Sequence, residues 1–361
     1  MLAGEGILTL KAYNLFMDIE ERKELILRNT AETVTEEELD EILEKDEPVA
    51  YCGYAPTGTM HIGHFTTISK IADFVEAGVH FKFLLADIHA ELDIEKSPRK
   101  LVEARTEYYK KAIKGMLEAS GINEDDIEFV KGSDFQHSPE YQKGYMQLME
   151  EATVNRMQRT VNEVVRNNDG MKASGLLYSA MQIMDCAEPG LDVDIAYGGR
   201  DQRRIYMLGR EVLPKIGEEK PTCLFAPLLS GLTGGKMSAS DANSKISIHD
   251  SAEELEDKVN DAFCPQGEVE DNGVLEYARY LVFPILERKG EEFTVERPEE
   301  YGGNLTYESY NELEEDFVSE ELHPQDLKQA VGKSLADILT PVREKFEEED
   351  ELMDRAYPEE E

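Results

Sequence analysis

Five short apolar runs recur along the chain: VAYCGY at 49–54, FKFLLA at 81–86, IEFVKGSDF at 127–135, VDIAYGG at 193–199 and TCLFAPLL at 222–229. Segments of helical periodicity separate them, so residues up to 248 read as strand and helix in repeated succession. After the first run, Ile62, Phe65, Ile68, Ile71 and Val75 keep helical spacing and Gly78 closes the helix. Ser97 and Pro98 open the next helix and Gly121 ends it. Repeated crossovers of this kind wind a parallel sheet with helices on both faces. The expected class is α/β, a doubly wound Rossmann-like parallel sheet with ligands beyond the C-terminal strand ends.

The flanking segments read differently. Residues 17–46 read as charged helices, with Thr35 and Glu38 in a capping pattern. Residues 138–187 read as consecutive helices, about 138–174 forming an insertion in the sheet domain. Beyond 248 strand signals stop, and 249–346 reads as a separate all-helical domain. Residues 1–16 read as a leader or the product of an upstream start codon, and 347–361 as a fraying acidic tail.

Asp and Glu number 77 against 38 Lys and Arg, a net charge of −39. With 16 Tyr and 13 Phe spread along the chain, that acid belongs to a folded surface rather than a disordered tail. Such a surface repels itself in dilute buffer and is tolerated in concentrated salt, where screening reaches only about 3 Å at 1 M. Cys52, Cys186, Cys223 and Cys264 lie far apart with no CxxC pair, which argues against a zinc site or a disulfide scaffold. No run approaches the ~18 apolar residues of a membrane span and no signal peptide is evident, so the expected location is cytoplasmic.

Two loops carry the chemistry. YAPTGTMHIGHF, Tyr54–Phe65, joins the first strand to the first helix. Gly58 and Gly63 let a ligand approach the backbone closely. His61 and His64 stand at the helix N-terminus, where orphan N–H groups favour an anion and an imidazole can donate to phosphate. A lone histidine there would more simply cap the helix or sit satisfied in the core; the pair after Pro and Gly favours the anion site. The second loop, SGLTGGKMSAS, follows the fifth run. Lys236 offers a compact charge, and Ser238 and Ser240 offer hydroxyls. A loop of this kind can close over a triphosphate and stabilise charge as pyrophosphate departs. GGK alone is a weak signal, but two such loops, each after a strand, make a strong one.

HIGH and KMSAS resemble the paired signatures of class I aminoacyl-tRNA synthetases. From about residue 25 to 345, including LLADIHA, YGGRDQRRIYMLGRE and ELHPQDLK, the chain is similar to the archaeal and eukaryotic tyrosyl-tRNA synthetases. The resemblance implies that a substrate carboxylate attacks the ATP α-phosphate to give an aminoacyl-adenylate. The aminoacyl group then passes to the 3′-end of tRNA(Tyr). It implies His61, His64 and Lys236 as catalytic groups, with Gly58, Gly63, Met237 and Ser238 joining them around ATP and Mg²⁺ arriving with the nucleotide. It also implies a homodimer. Where the family often has a second lysine, this chain has Ala239, so transition-state charge would rest more on Lys236 and the two histidines.

Tryptophanyl-tRNA synthetases share the fold, so the loops alone do not choose the amino acid. Tyr178, Gln182 and Asp185 lie at i, i+4 and i+7, a polar stripe on a helix otherwise made of Leu176, Leu177, Met181, Ile183 and Met184. Such stripes usually face solvent, yet this helix is short of Lys and Glu. The resemblance assigns Tyr178, Gln182 and Gln202 to the α-amino group of L-tyrosine, Tyr51 and Asp185 to its phenolic hydroxyl, and Gly53 to the same pocket. Tyr51 beside Asp185 disfavours tryptophan, because indole offers only a donor.

Between Asn155 and Arg210 the charge turns to +1: Arg156, Arg159, Arg166, Lys172, Arg200, Arg203, Arg204 and Arg210 oppose seven acids. This segment is the expected acceptor-stem surface, with Arg203 reading the first base pair by resemblance; pairing with acids across a dimer interface is the alternative. Tyr301, His323 and Asp326 match residues that contact the first anticodon base. His323-Pro324 could equally open a helix with Asp326 helping to cap it. Competing classes are a small-molecule nucleotidyltransferase, which would not need the C-terminal helices, and a non-catalytic RNA-binding protein, which would not need His61, His64 and Lys236.

Overall fold

The computed structural model describes residues 17–93, 96–161, 172–235, 244–347 and 350–358. The main sheet is built from β1 (Glu32–Val34), β2 (Val49–Tyr54), β3 (His80–Leu85), β4 (Ile127–Lys131), β5 (Ile195–Gly199) and β6 (Thr222–Ala226). Their order is β1-β6-β5-β2-β3-β4, all parallel except β1. The five expected strands are all present. β1 is an addition: Leu27 ends a first helix, Asn29 turns through φ 56°, and three residues pair antiparallel with β6. Three residues are too few to show a period, which is why 17–46 read as helix throughout. Thr35 does cap the second helix, Glu36–Leu43, but Glu38 sends its carboxylate to Arg210 and Lys220 rather than back to the cap.

Strand alternation sorts side chains onto two faces, both covered, as a parallel sheet requires. Ala50, Cys52, Phe81, Phe83, Ile195, Tyr197 and Leu224 enter one core, which continues into the C-terminal helices. Tyr51, Leu84, Ala196, Cys223 and Phe225 enter the other, beneath the Ala173–Met184 helix. A buried charge cluster ties the sheet helices to the C-terminal part. Asp73 accepts Arg28 at 2.6 Å, Lys70 at 2.9 Å and Arg288 at 2.7 Å, and these cations hold its carboxyl low despite the opposing effect of burial.

Beyond residue 248 the chain is mainly helical, as expected, with one small hairpin, Phe293–Val295 against Leu305–Tyr307. The acidic C-terminal stretch, expected to fray, instead carries a helix at Asp350–Ala356 docked on the Arg99–Ala119 helix. Leu352, Met353, Ala356 and Tyr357 form an apolar stripe hidden among the acids.

Candidate active site

β2 hands over to β3 on one side, while β5 hands over to β6 on the other. The loops leaving β2 and β5 therefore diverge, and a crevice opens at their C-terminal ends. A cavity of about 290 Å³ occupies it. Tyr51, Gly53, His64, Tyr178, Gln182, Asp185 and Gln202 all line this cavity. One sheet edge thus gathers residues spread over some hundred and fifty positions of sequence, about the spread a doubly wound topology brings together.

The histidine pair occupies the start of the Ile62–Glu76 helix. His61 is the N-cap and its Nδ1 accepts the N–H of Gly63 at 3.2 Å; His64 Nδ1 accepts the N–H of His61 at 3.1 Å. Burial, with Lys245 nearby, pushes His61 down to about 4; burial, then the His61 ring, pushes His64 down to about 3. Both rings are therefore neutral, and because each Nδ1 is an acceptor, each proton resides on Nε2. Capping and donation to an anion are compatible in one side chain. Apart from its chain neighbours, no atom of the described residues lies within 4 Å of the place a Gly58 Cβ would take.

Lys236, Met237, Ser238 and Ser240 lie outside the described residues, as does Arg166. The flanks of that loop are described. Gly234 and Gly235 take φ of 83° and 73°, a conformation L side chains rarely adopt. On the far side, Ile62 N donates to Ile246 O at 2.9 Å and His61 bridges to Ser247. The exit of the lysine loop is thus hydrogen-bonded to the histidine turn itself.

In the amino-acid part of the cavity Asp185 is 1% exposed. Its Oδ1 accepts Gln136 Nε2 at 2.7 Å and Tyr141 OH at 2.6 Å, while Oδ2 has no hydrogen-bond donor among the described residues and lies 3.6 Å from His89 Nε2. Burial raises its pKa against the pull of His89, Tyr141 and Gln136. Tyr51 OH sits 3.1 Å from Tyr206 OH and accepts the Cys186 thiol at 3.4 Å. Gln182 Nε2 donates to Gln202 Oε1 at 2.9 Å, leaving Gln182 Oε1 buried without a partner among the described residues. The polar stripe therefore faces the cavity, not solvent.

Residues 43–340 match the family model described as tRNA synthetases class I (W and Y). The tyrosine–tRNA ligase of Haloarcula marismortui is 56% identical over 343 residues, 95% of this chain and 99% of its own length. That of Natronomonas pharaonis is 53% identical over 344 residues, with 95% and 99% covered. The chain belongs to the tyrosyl-tRNA synthetases. The crystal structure of tyrosyl-tRNA synthetase complexed with L-tyrosine from Archaeoglobus fulgidus is similar with a TM-score of 0.84 at 42% identity, over 91% of this chain and 99% of that one. The activity is tyrosine–tRNA ligation with ATP as substrate, and the tryptophan alternative falls away. The acidic surface matches the halophilic archaeal source of the two ligases.

The remaining sequence-derived residues lie elsewhere. Arg203 forms a fork with Glu32, Nε to Oε2 at 2.7 Å and Nη2 to Oε1 at 2.6 Å. Arg156 pairs with Glu211 and Arg210 with Glu38, so three of these arginines are matched within the chain itself. Tyr301 is 66% exposed in the Glu299–Tyr301 turn. Arg297 ties that turn to the 321–323 segment by donating to Gly303 O and Glu321 O. The Pro324–Ile338 helix is capped by His323, whose Nδ1 accepts Gln325 N at 3.1 Å, and not by Asp326. Sequence reasoning missed His89, Gln136, Tyr141, Tyr206 and Lys245. His89 and Gln136 follow the C-terminal ends of β3 and β4, where the topology rule places ligand residues, so that signal was available.

Proposed function

We propose that the cavity holds L-tyrosine with its phenol O–H against Asp185 Oδ2 and its α-amino group among Tyr178, Gln182 Oε1 and Gln202. The observation that carries this is the buried Asp185 Oδ2, which has no hydrogen-bond donor among the described residues. A phenol supplies the missing hydrogen bond and phenylalanine does not, so the wrong substrate leaves a buried acceptor unpaired. Rejection on this basis is documented for tyrosyl-tRNA synthetases themselves. Tyr51 completes the phenol end beside Tyr206, and Gly53 keeps the strand edge low where tyrosine lies.

The tyrosine carboxylate then attacks the ATP α-phosphate and pyrophosphate leaves, with Mg²⁺ entering on the triphosphate. His61 and His64 present Nε2–H donors from a helix N-terminus, and Gly58 and Gly63 keep the backbone open to the phosphates. Lys236, with Met237 and Ser238, closes from the loop whose exit pairs with Met60–Ile62. The tyrosyl group passes to the 3′-terminal adenosine of tRNA(Tyr), held by Arg203 at the acceptor end and by Tyr301, His323 and Asp326 at the anticodon. Met146, Met149 and Val154, 54%, 38% and 64% exposed on the insertion helices, support a homodimer through that face. The work is cytoplasmic. Amino-acid-dependent ATP–pyrophosphate exchange across a panel of amino acids tests the reading: tyrosine alone should support exchange, and equal rates with phenylalanine would overturn the Asp185 assignment.

A further inference from the structure

Three consecutive carbonyls precede the histidine pair, and neighbouring side chains hold each of them. Pro56 O accepts Ser97 Oγ at 3.1 Å, and Thr57 O accepts Arg105 Nη1 at 2.6 Å. Gly58 O accepts two phenols, Tyr109 at 2.8 Å and Tyr357 at 2.7 Å. Ser97 is thereby drawn away from capping the Arg99–Ala119 helix, whose N-cap is Pro98. Arg105, 8% exposed, also donates to Lys96 O at 2.8 Å and, through Nε, to Ala356 O at 3.0 Å. Its guanidinium lies 4.8 Å from the centroid of the Tyr357 ring. One arginine therefore clasps both the nucleotide loop and the C-terminal segment.

A trans peptide sets its N–H opposite its C=O. Tying down the Gly58 oxygen turns the Thr59 N–H of the same peptide to the other side, while the Thr57 and Gly58 N–H groups lie toward Tyr109. Gly58 and Thr59 are exposed, with open space among the described residues where a Gly58 Cβ would stand. A backbone N–H held in this way, next to a glycine with no side chain to block approach, suits a phosphate oxygen.

We propose that Tyr357 is a positioning residue of the nucleotide site: the C-terminal segment fixes the Gly58 peptide so that the loop meets the ATP phosphates already oriented. This rests on the reading of Tyr54–Phe65 as the ATP loop. Residues at the far end of the chain thus belong to the catalytic unit, although they touch neither substrate.

The test is Tyr357→Phe in the full chain, which removes one hydroxyl and leaves the ring on Arg105. Tyrosine-dependent ATP–pyrophosphate exchange should show KM for ATP raised about three- to tenfold, the worth of one hydrogen bond. KM for tyrosine should stay at the wild-type value, and the melting temperature should fall by no more than a few degrees, as for one lost hydrogen bond. Arg355→Ala, which breaks the exposed pair with Glu107 on the same helix, should leave both KM values unchanged. Tyr357→Phe with a wild-type KM for ATP, or with both KM values raised equally, would overturn the proposal. A wild-type chain that showed no tyrosine-dependent exchange would overturn the parent reading, and the proposal with it.

Discussion

His64 Nδ1 accepts the backbone N–H of His61 at 3.1 Å, and the two rings lie with centroids 4.2 Å apart. The first nitrogen of each ring serves the helix, which leaves the second, Nε2–H, for the proposed contact to substrate. Asparagine places its Oδ1 about where a histidine Nδ1 stands and is itself a good N-cap. His61→Asn and His64→Asn should therefore fold normally while losing the Nε2 donor. Each should lower kcat for tyrosine-dependent exchange about 10²–10³-fold, the scale of one removed oxyanion donor. A wild-type kcat in a folded variant would take the donor role away from that histidine.

The same burial sets a pH dependence. The unfolded chain protonates these histidines near 6.5, whereas the folded chain holds His61 at about 4 and His64 at about 3. The stability they confer is therefore full above pH 6.5 and is lost as pH falls from there through 4 and then 3, because only the unfolded state takes up protons in that window. Denaturant midpoints at fixed salt should fall between pH 7 and pH 5, and fall less steeply in the double variant carrying asparagine at 61 and 64. Equal slopes would show that the rings are not buried neutral.

At the other end of the cavity, Asp185→Ala removes the acceptor proposed for the phenol. Its kcat/KM for tyrosine should drop roughly ten- to a hundredfold, as expected for a hydrogen bond to a charged group, and that for phenylalanine should drop less. Tyr51→Phe should narrow selectivity more modestly, since the Tyr51 hydroxyl already pairs with Tyr206 and Cys186. Exchange rates with both amino acids check this. An unchanged tyrosine-to-phenylalanine ratio would exclude both residues from the phenol subsite.

What could be read from the sequence follows from how local each signal is. β2 and the Ile62–Glu76 helix announce themselves by periodicity, and Tyr178, Gln182 and Asp185 by a stripe out of place on an apolar helix. β1 and the hairpin at 293–307 consist of three-residue strands, held by partners that no local pattern specifies. Gln136 and Tyr141 reach Asp185 from another part of the chain, so only the assembled sheet places them there. The docked tail shows the opposite hazard. Its acidic composition suggested fraying, while four apolar residues at helical spacing, with Arg105 beneath, decide its place.

Arg203 spends its Nε and Nη2 on Glu32, and Nη1 has no hydrogen bond among the described residues, with the side chain 42% exposed. Glu32 belongs to β1, the strand not evident in the sequence, and the fork fixes the guanidinium plane. An arginine held this way can offer its two Nη1 N–H donors outward with little loss of side-chain freedom on binding. Arg203→Gln should then reduce kcat/KM for tRNA in aminoacylation about ten- to a hundredfold and leave ATP–pyrophosphate exchange within about twofold. Glu32→Gln, which keeps the arginine but loosens its fork, should act in the same direction and more weakly. If Arg203→Gln depresses both reactions equally, the fork is only a clamp between β1 and the Arg203–Val212 helix, and the acceptor stem is read elsewhere.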